Sequence, residues 1–145
     1  RSVWDLAPQA LEEQRLVDAL PEEIRRWDAS GEETARFTLV GEERTLHPNV
    51  QRTLLRICQE SLVNVRKHAR ASNVDVTLAF QPEAVGLEVR DDGIGYDRNK
   101  NRPVSDTGGF GITGMEQRTR LLNGTLDITP RDGGGTTVQV RLPTQ

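Results

Sequence analysis

The second half of the chain alternates apolar and polar residues again and again with a period of two. Val74, Val76, Leu78 and Phe80 alternate with Asp75, Thr77, Ala79 and Gln81, and Val85, Leu87 and Val89 with Gly86, Glu88 and Arg90. Leu126 and Ile128 alternate with Thr125, Asp127 and Thr129, and Val138, Val140 and Leu142 with Thr137, Gln139 and Arg141. Successive side chains of a strand point to opposite faces, so each stretch reads as a strand with one apolar and one polar face. Strands of a doubly wound parallel sheet are apolar on both sides, which these are not. The pattern predicts an α+β fold, a two-layer α/β sandwich. Its mixed, mostly antiparallel sheet carries helices on one face only. Ala35 to Val40 (ARFTLV) adds an earlier strand, and Gln81-Pro82-Glu83 a hairpin turn between two of the later ones.

The helices are found by their longer period. From about Ala10 to Trp27, Leu11, Val17, Leu20 and Ile24 recur at three- and four-residue steps, and Pro21 splits this stretch or opens its second piece. His47-Pro48-Asn49 opens a helix over 48–69, with Pro48 in the first turn. Leu54, Cys58, Leu62, Val65 and Ala69 share the face that packs on the sheet. Glu60, Asn64, Lys67 and His68 fall on a different face. Asn is a poor helix former and Glu60–Asn64 is not an ion pair, so simple solvation does not account for Asn64. Tyr96 to Thr107 is polar, aperiodic and contains Pro103, which predicts a mobile binding loop. Gly108-Gly109-Phe110-Gly111-Ile112-Thr113-Gly114 closes it, and helical spacing resumes at Met115 and stops at Asn123-Gly124.

Length and charge limit what such a sandwich can do. At 145 residues the chain makes one domain with a real core, and with 34% hydrophobic and 4% aromatic residues that core is aliphatic. The net charge of −3 gives no general pull towards nucleic acid or an anionic membrane. One cysteine, Cys58, excludes an internal disulfide and a cysteine-rich metal site. The single cysteine fits a reduced, cytoplasmic setting; no apolar run reaches transmembrane length and no signal peptide is visible. The first residue is Arg, so a fragment is expected, and residues 1–9 (RSVWDLAPQ) read as the tail of a preceding element, with the domain proper at 10–145.

Three polar clusters remain. Asp91-Asp92-Gly93-Ile94-Gly95 ends an alternating strand. A carboxylate there accepts from the exocyclic amine of a base, and glycines beside it let the backbone approach a flat ligand. The glycines of 108–114, placed before a helix, present N–H groups to an anion. Asn64 is a suitable hard ligand for magnesium beside phosphates, and Glu60, one turn earlier, suits a general base. Gly109 to Gly114 matches GxGxxG but follows no strand, and no Gly-Lys-Ser/Thr marks a Walker loop. The ingredients are those of a Mg-nucleotide site without a P-loop.

With these clusters in order, the chain resembles the ATP-binding domain of sensor histidine kinases, in the superfamily shared with gyrase B, Hsp90 and MutL (the Bergerat fold). The resemblance covers about 45–143. It rests on Gln59-Glu60-Ser61-Leu62-Val63-Asn64-Val65-Arg66-Lys67-His68-Ala69, on Asp91-Asp92-Gly93-Ile94-Gly95-Tyr96-Asp97 and on Gly109-Phe110-Gly111-Ile112-Thr113-Gly114-Met115-Glu116-Gln117-Arg118, followed by Gly134-Gly135-Thr136. It implies ATP and Mg2+ as cofactors. Asn64 is then the metal ligand, Glu60 the acid that aids phosphoryl transfer, and Lys67 and His68 neighbours of the phosphates. Asp92 reads the adenine, Gly93 and Gly95 abut it, and Gly109, Gly111, Ile112 and Gly114 belong to a lid. The Lys67-His68-Ala69 ending and the Gly114-Met115-x-x-Arg118 pattern resemble the subgroup related to nitrate and cell-envelope sensors; Ile112 stands where that subgroup often has Leu, and Gln117 where Glu is common.

The resemblance also implies partners. The family's phosphoacceptor histidine sits on a separate helical hairpin, and residues 1–9 look like the end of that dimerisation hairpin. His47 and His68 are the only histidines here, and neither lies in such a context. A response regulator of DNA-binding helix-turn-helix type would follow, with no direct nucleic-acid contact by this chain. The full-length protein would be a homodimer, membrane-anchored or not, and the isolated domain a monomer. The rival reading is an anti-sigma-type Ser/Thr kinase or a regulatory nucleotide module of the same superfamily.

Overall fold

In the computed structural model, residues 15–29, 31, 33–69, 72–93, 106–131 and 134–144 are described, with only the backbone given for 68–69 and 106–113. The chain runs α1 (Leu16–Ala29), β1 (Thr34–Val40), α2 (Pro48–Asn64) with a π-helical turn at Val65–Ala69, then β2 (Asn73–Phe80) and β3 (Ala84–Asp91). It ends with α3 (Asp106–Leu121), β4 (Thr125–Pro130) and β5 (Thr136–Pro143). The five strands order as β1-β2-β3-β5-β4, with β1 parallel to β2 and every other pair antiparallel.

Alternation sets the register. Phe37, Val76, Val89, Val138 and Ile128 lie side by side across all the strands, while Thr77, Glu88, Gln139 and Asp127 form a row of opposite parity. A slip of one residue would turn every apolar side chain of a strand to the wrong face. Leu54, Ile57, Cys58 and Leu62 of α2 bury against this apolar side together with Leu16, Leu20, Ile24 and Trp27 of α1. Burial, and then the charge of Glu23, push the Cys58 thiol up to about 12, so it packs as a small apolar group. The β2–β3 hairpin closes through the Gln81 N–H, which donates to the Ala84 carbonyl at 2.9 Å.

Helix ends follow local chemistry. Pro48 is the first helical residue of α2, and the Nδ1 of His47 accepts the Asn49 N–H at 3.0 Å, so His47 caps the helix. The helix α1 runs through Pro21 without splitting. Proline forfeits one backbone bond in the second turn, but Leu20, Ile24 and Trp27 hold both sides of it in the core. After α3, Asn123 rather than Gly124 takes the left-handed conformation (φ 60°), while a Cβ on Gly124 would collide with Leu142 and the Arg141 carbonyl. Residues 1–9 and the start of the expected first helix lie outside the described residues.

Candidate functional site

The two carboxylates at the end of β3 go separate ways. Asp91 pairs with Val74 in the antiparallel ladder and shares the parity of Val85, Leu87 and Val89, so its side chain enters the apolar layer and is 4% exposed. Burial holds its carboxyl above the usual carboxylate range, against the Gly93 and Thr136 backbone N–H groups that favour the charged form. The Gly93 N–H donates to Oδ1 at 2.9 Å. Arg131 donates from Nη1 to the Asp91 carbonyl at 2.8 Å, and a Cβ on Gly135 (φ 106°) would collide with that same carbonyl. Only glycine allows β5 to begin so close behind Asp91.

Asp92 has the opposite parity and is exposed. Its Oδ1 accepts the N–H groups of Ser72 (2.8 Å) and Asn73 (2.9 Å), and its Oδ2 accepts the Asn73 side-chain amide at 2.9 Å. The Asn73 backbone and side-chain bonds hold its carboxyl below the usual range. Asp92 therefore pins the start of β2 to the end of β3. Asp92 is the acid expected to read a base, and in the structure both its oxygens accept from Ser72 and Asn73, whereas Asp91 is buried and carries acceptor positions beyond its backbone bonds. Asp91 continues the odd-numbered apolar run of β3, and Asp92 does not. Thr136, 7% exposed, lies beside Asp91, and Arg131 is the member that the sequence motifs did not include.

On α2, Glu60 and Asn64 are half-buried one turn apart. Glu60 lies 3.3 Å from Arg56, an i,i+4 ion pair, and Asn64 has no side-chain hydrogen bond among the described residues. Lys67 is exposed on the π-turn, where the backbone also places His68. The hydroxyl of Ser61, 1% exposed, has no partner among the described residues. An orphan buried hydroxyl and an unpartnered amide on one helix mark polar capacity that the fold itself does not use.

The glycine-rich run departs from expectation. Gly109, Gly111, Ile112 and Gly114 lie within α3, which starts at Asp106, and not ahead of a helix N-terminus. Each glycine costs a helix about 1 kcal/mol relative to alanine, so this first half of α3 has little intrinsic helical preference. A Cβ on Gly114 would meet nothing within 4 Å. Residues 94–105, with Gly95 and most of the expected loop from Tyr96 to Thr107, lie outside the described residues.

Chemically, these groups suit a nucleotide held with magnesium. Among the described residues no three of His, Cys, Asp and Glu group as a metal cage. A lone amide such as Asn64 would hold a hard cation only with help from ligand oxygens, which is how magnesium binds beside phosphates.

The family described as histidine kinase-, DNA gyrase B-, and HSP90-like ATPase matches residues 49–145. The signal transduction histidine-protein kinase/phosphatase DegS of Brevibacillus brevis is 30% identical over 143 residues, covering 99% of this chain and 36% of that protein. The similarly described UhpB of Salmonella typhimurium is 35% identical over 144 residues, 99% of this chain and 27% of that protein. The chain thus spans about a third or less of these relatives. Among solved structures, the histidine kinase domain of a blue-light activated kinase from Erythrobacter litoralis superposes with a TM-score of 0.70 at 21% identity, over 89% of this chain and 61% of that one, a likeness of fold.

Proposed function

The chain belongs to the histidine kinase-, DNA gyrase B- and HSP90-like ATPases as the ATPase domain of a sensor histidine kinase, and from that premise we propose how its own residues work. It binds Mg-ATP and passes the γ-phosphoryl group to a histidine on a helical hairpin of the same kinase, for relay to a response regulator. The observation that carries the reading is the buried Asp91 carboxylate at the end of β3, on the face that α2 covers. Asp91 accepts from the exocyclic amine of adenine, and Gly93 and Gly95 let the backbone approach the ring. Asn64 offers its amide oxygen to the metal. When bound, Mg2+ neutralises charge developing on the phosphate oxygens. Lys67 and His68 are the proposed partners of the phosphates, and the glycines of α3 close over them. Glu60, released from Arg56, takes the proton of the incoming imidazole.

The test is transfer in trans. Given Mg-ATP, this chain alone acquires no stable phosphate, and with the hairpin of its own kinase added it labels a histidine there. Label on His47, on His68 or on a partner's Ser/Thr would replace this reading with the anti-sigma type. No helix among the described residues is long and apolar enough to cross a membrane.

A further inference from the structure

Resting on the nucleotide reading, we propose that Arg66 is a positioning residue. With Trp27 and Glu33 it holds the π-turn between Asn64 and the phosphate-side pair Lys67 and His68. The guanidinium of Arg66 lies 4.1 Å from the Trp27 ring centroid. Its Nη2 donates to the Trp27 carbonyl at 2.7 Å and to Glu33 Oε1 at 2.9 Å, and its Nε reaches the same Oε1 at 3.2 Å. The indole N–H of Trp27 in turn donates to the Leu62 carbonyl at 3.0 Å, in the last turn of α2.

That carbonyl is where the helix changes pitch. In an uninterrupted α-helix, Leu62 O accepts from the N–H four residues on, that of Arg66. Here the indole claims a share of it, and the Val65 N–H reaches both Leu62 O and Ser61 O. A donor inserted into the i→i−4 ladder is a standard cause of such irregularity, and π-turns concentrate at functional sites. Each residue of the wider turn advances less about the axis than in an α-helix. Lys67 and His68 therefore leave a different part of the circumference, relative to Asn64, than a regular helix would give them. The clamp also ties this turn to α1, the element at the N-terminal end of the described chain. Arginine suits the post because its planar fork stacks on indole and bonds two oxygens at once, whereas lysine does only one of these.

The experiment measures binding of adenosine and of Mg-ATP to this chain by calorimetry. Arg66→Ala and Arg66→Lys should each weaken Mg-ATP about tenfold, with adenosine changed by less than about twofold. Glu33→Gln, which keeps the stack, should act in the same direction with smaller size and carries the test if the arginine variants fail to fold. Equal losses for both ligands would show a merely structural role and overturn the proposal, as would full rescue by lysine. If the unaltered chain binds neither ligand, the nucleotide reading itself falls and takes this one with it. If it binds both and the variants keep its Mg-ATP to adenosine ratio, only the clamp falls.

Discussion

Asp91 and Asp92 are neighbours in sequence and opposites in environment. Asp91 sits in a ladder row with Val74, buried, its carboxyl raised by desolvation. Asp92 lies one residue on, exposed, its carboxyl lowered by hydrogen bonds from Asn73 and Ser72. The period of two in a strand is enough to separate them. The buried carboxylate is kept at a cost to the fold, which is the condition for a group reserved for a ligand. The exposed one lowers the free energy of the fold and is already committed. On the proposed reading, neighbouring residues with the same side chain divide binding and stability between them.

The sharpest way to break that division is Asp91→Asn. The amide oxygen can keep the Gly93 bond, but its N–H2 group meets the exocyclic amine of adenine donor to donor. The expected loss is about 1–3 kcal/mol, tenfold to ~100-fold in nucleotide affinity. Stability at neutral pH should hold or rise, because a buried charge is gone. Calorimetric titration with an ATP analogue checks the first part and thermal melting the second. Unchanged affinity would return the base-reading role to Asp92.

A smaller effect is expected away from the base. Asn64→Ala removes the amide that has no partner among the described residues, so the fold should barely notice. Mg-ATP affinity should fall by about 1–2 kcal/mol, in the range of one lost polar contact to a charged group, while adenosine affinity stays put. Equal losses with and without Mg2+ would detach Asn64 from the metal and leave Asp91 without a phosphate-side counterpart on α2.

Most of this architecture was legible in the sequence, and the reason is physical. Val74 to Phe80, Val85 to Val89 and Val138 to Leu142 alternate so strictly that strands, faces and antiparallel pairing follow from them. Three things were harder to read. Seeing that Asp91 is the buried acid and Asp92 the exposed one needed the strand's parity carried one residue past its last apolar position, where a glycine motif draws attention to Asp92. The helix over Gly108 to Gly114 contradicts local propensity, since glycines stop helices more often than they form them. The ion pair of Glu60 with Arg56 was open to an i,i+4 count, but the stacking of Arg66 on Trp27 joins residues far apart in the chain and has no local signature.

The smallest expected effect is the most diagnostic of the comparison. Asp92→Ala leaves two backbone N–H groups and the Asn73 amide to water at an exposed site, a loss of about 1 kcal/mol after allowing for solvent screening. Nucleotide affinity should stay within about twofold. The pH dependence then separates the two acids by sign. Asp92 titrates below the ordinary value of 3.8 when folded, so its stabilisation is present above 3.8 and fades as pH falls through its lowered folded value. Asp91 titrates above 3.8 when folded, so its penalty is present at neutral pH and is relieved as pH falls through the raised value towards 3.8. Melting curves of the unaltered chain, Asp91→Asn and Asp92→Ala across this range should give differences of opposite sign at neutral pH. The Asp91 difference should shrink above 3.8 and the Asp92 difference below it. Differences of the same sign, or vanishing in the reverse order, would mean that the two side chains have exchanged places in solution, and the site would have to be rebuilt around Asp92.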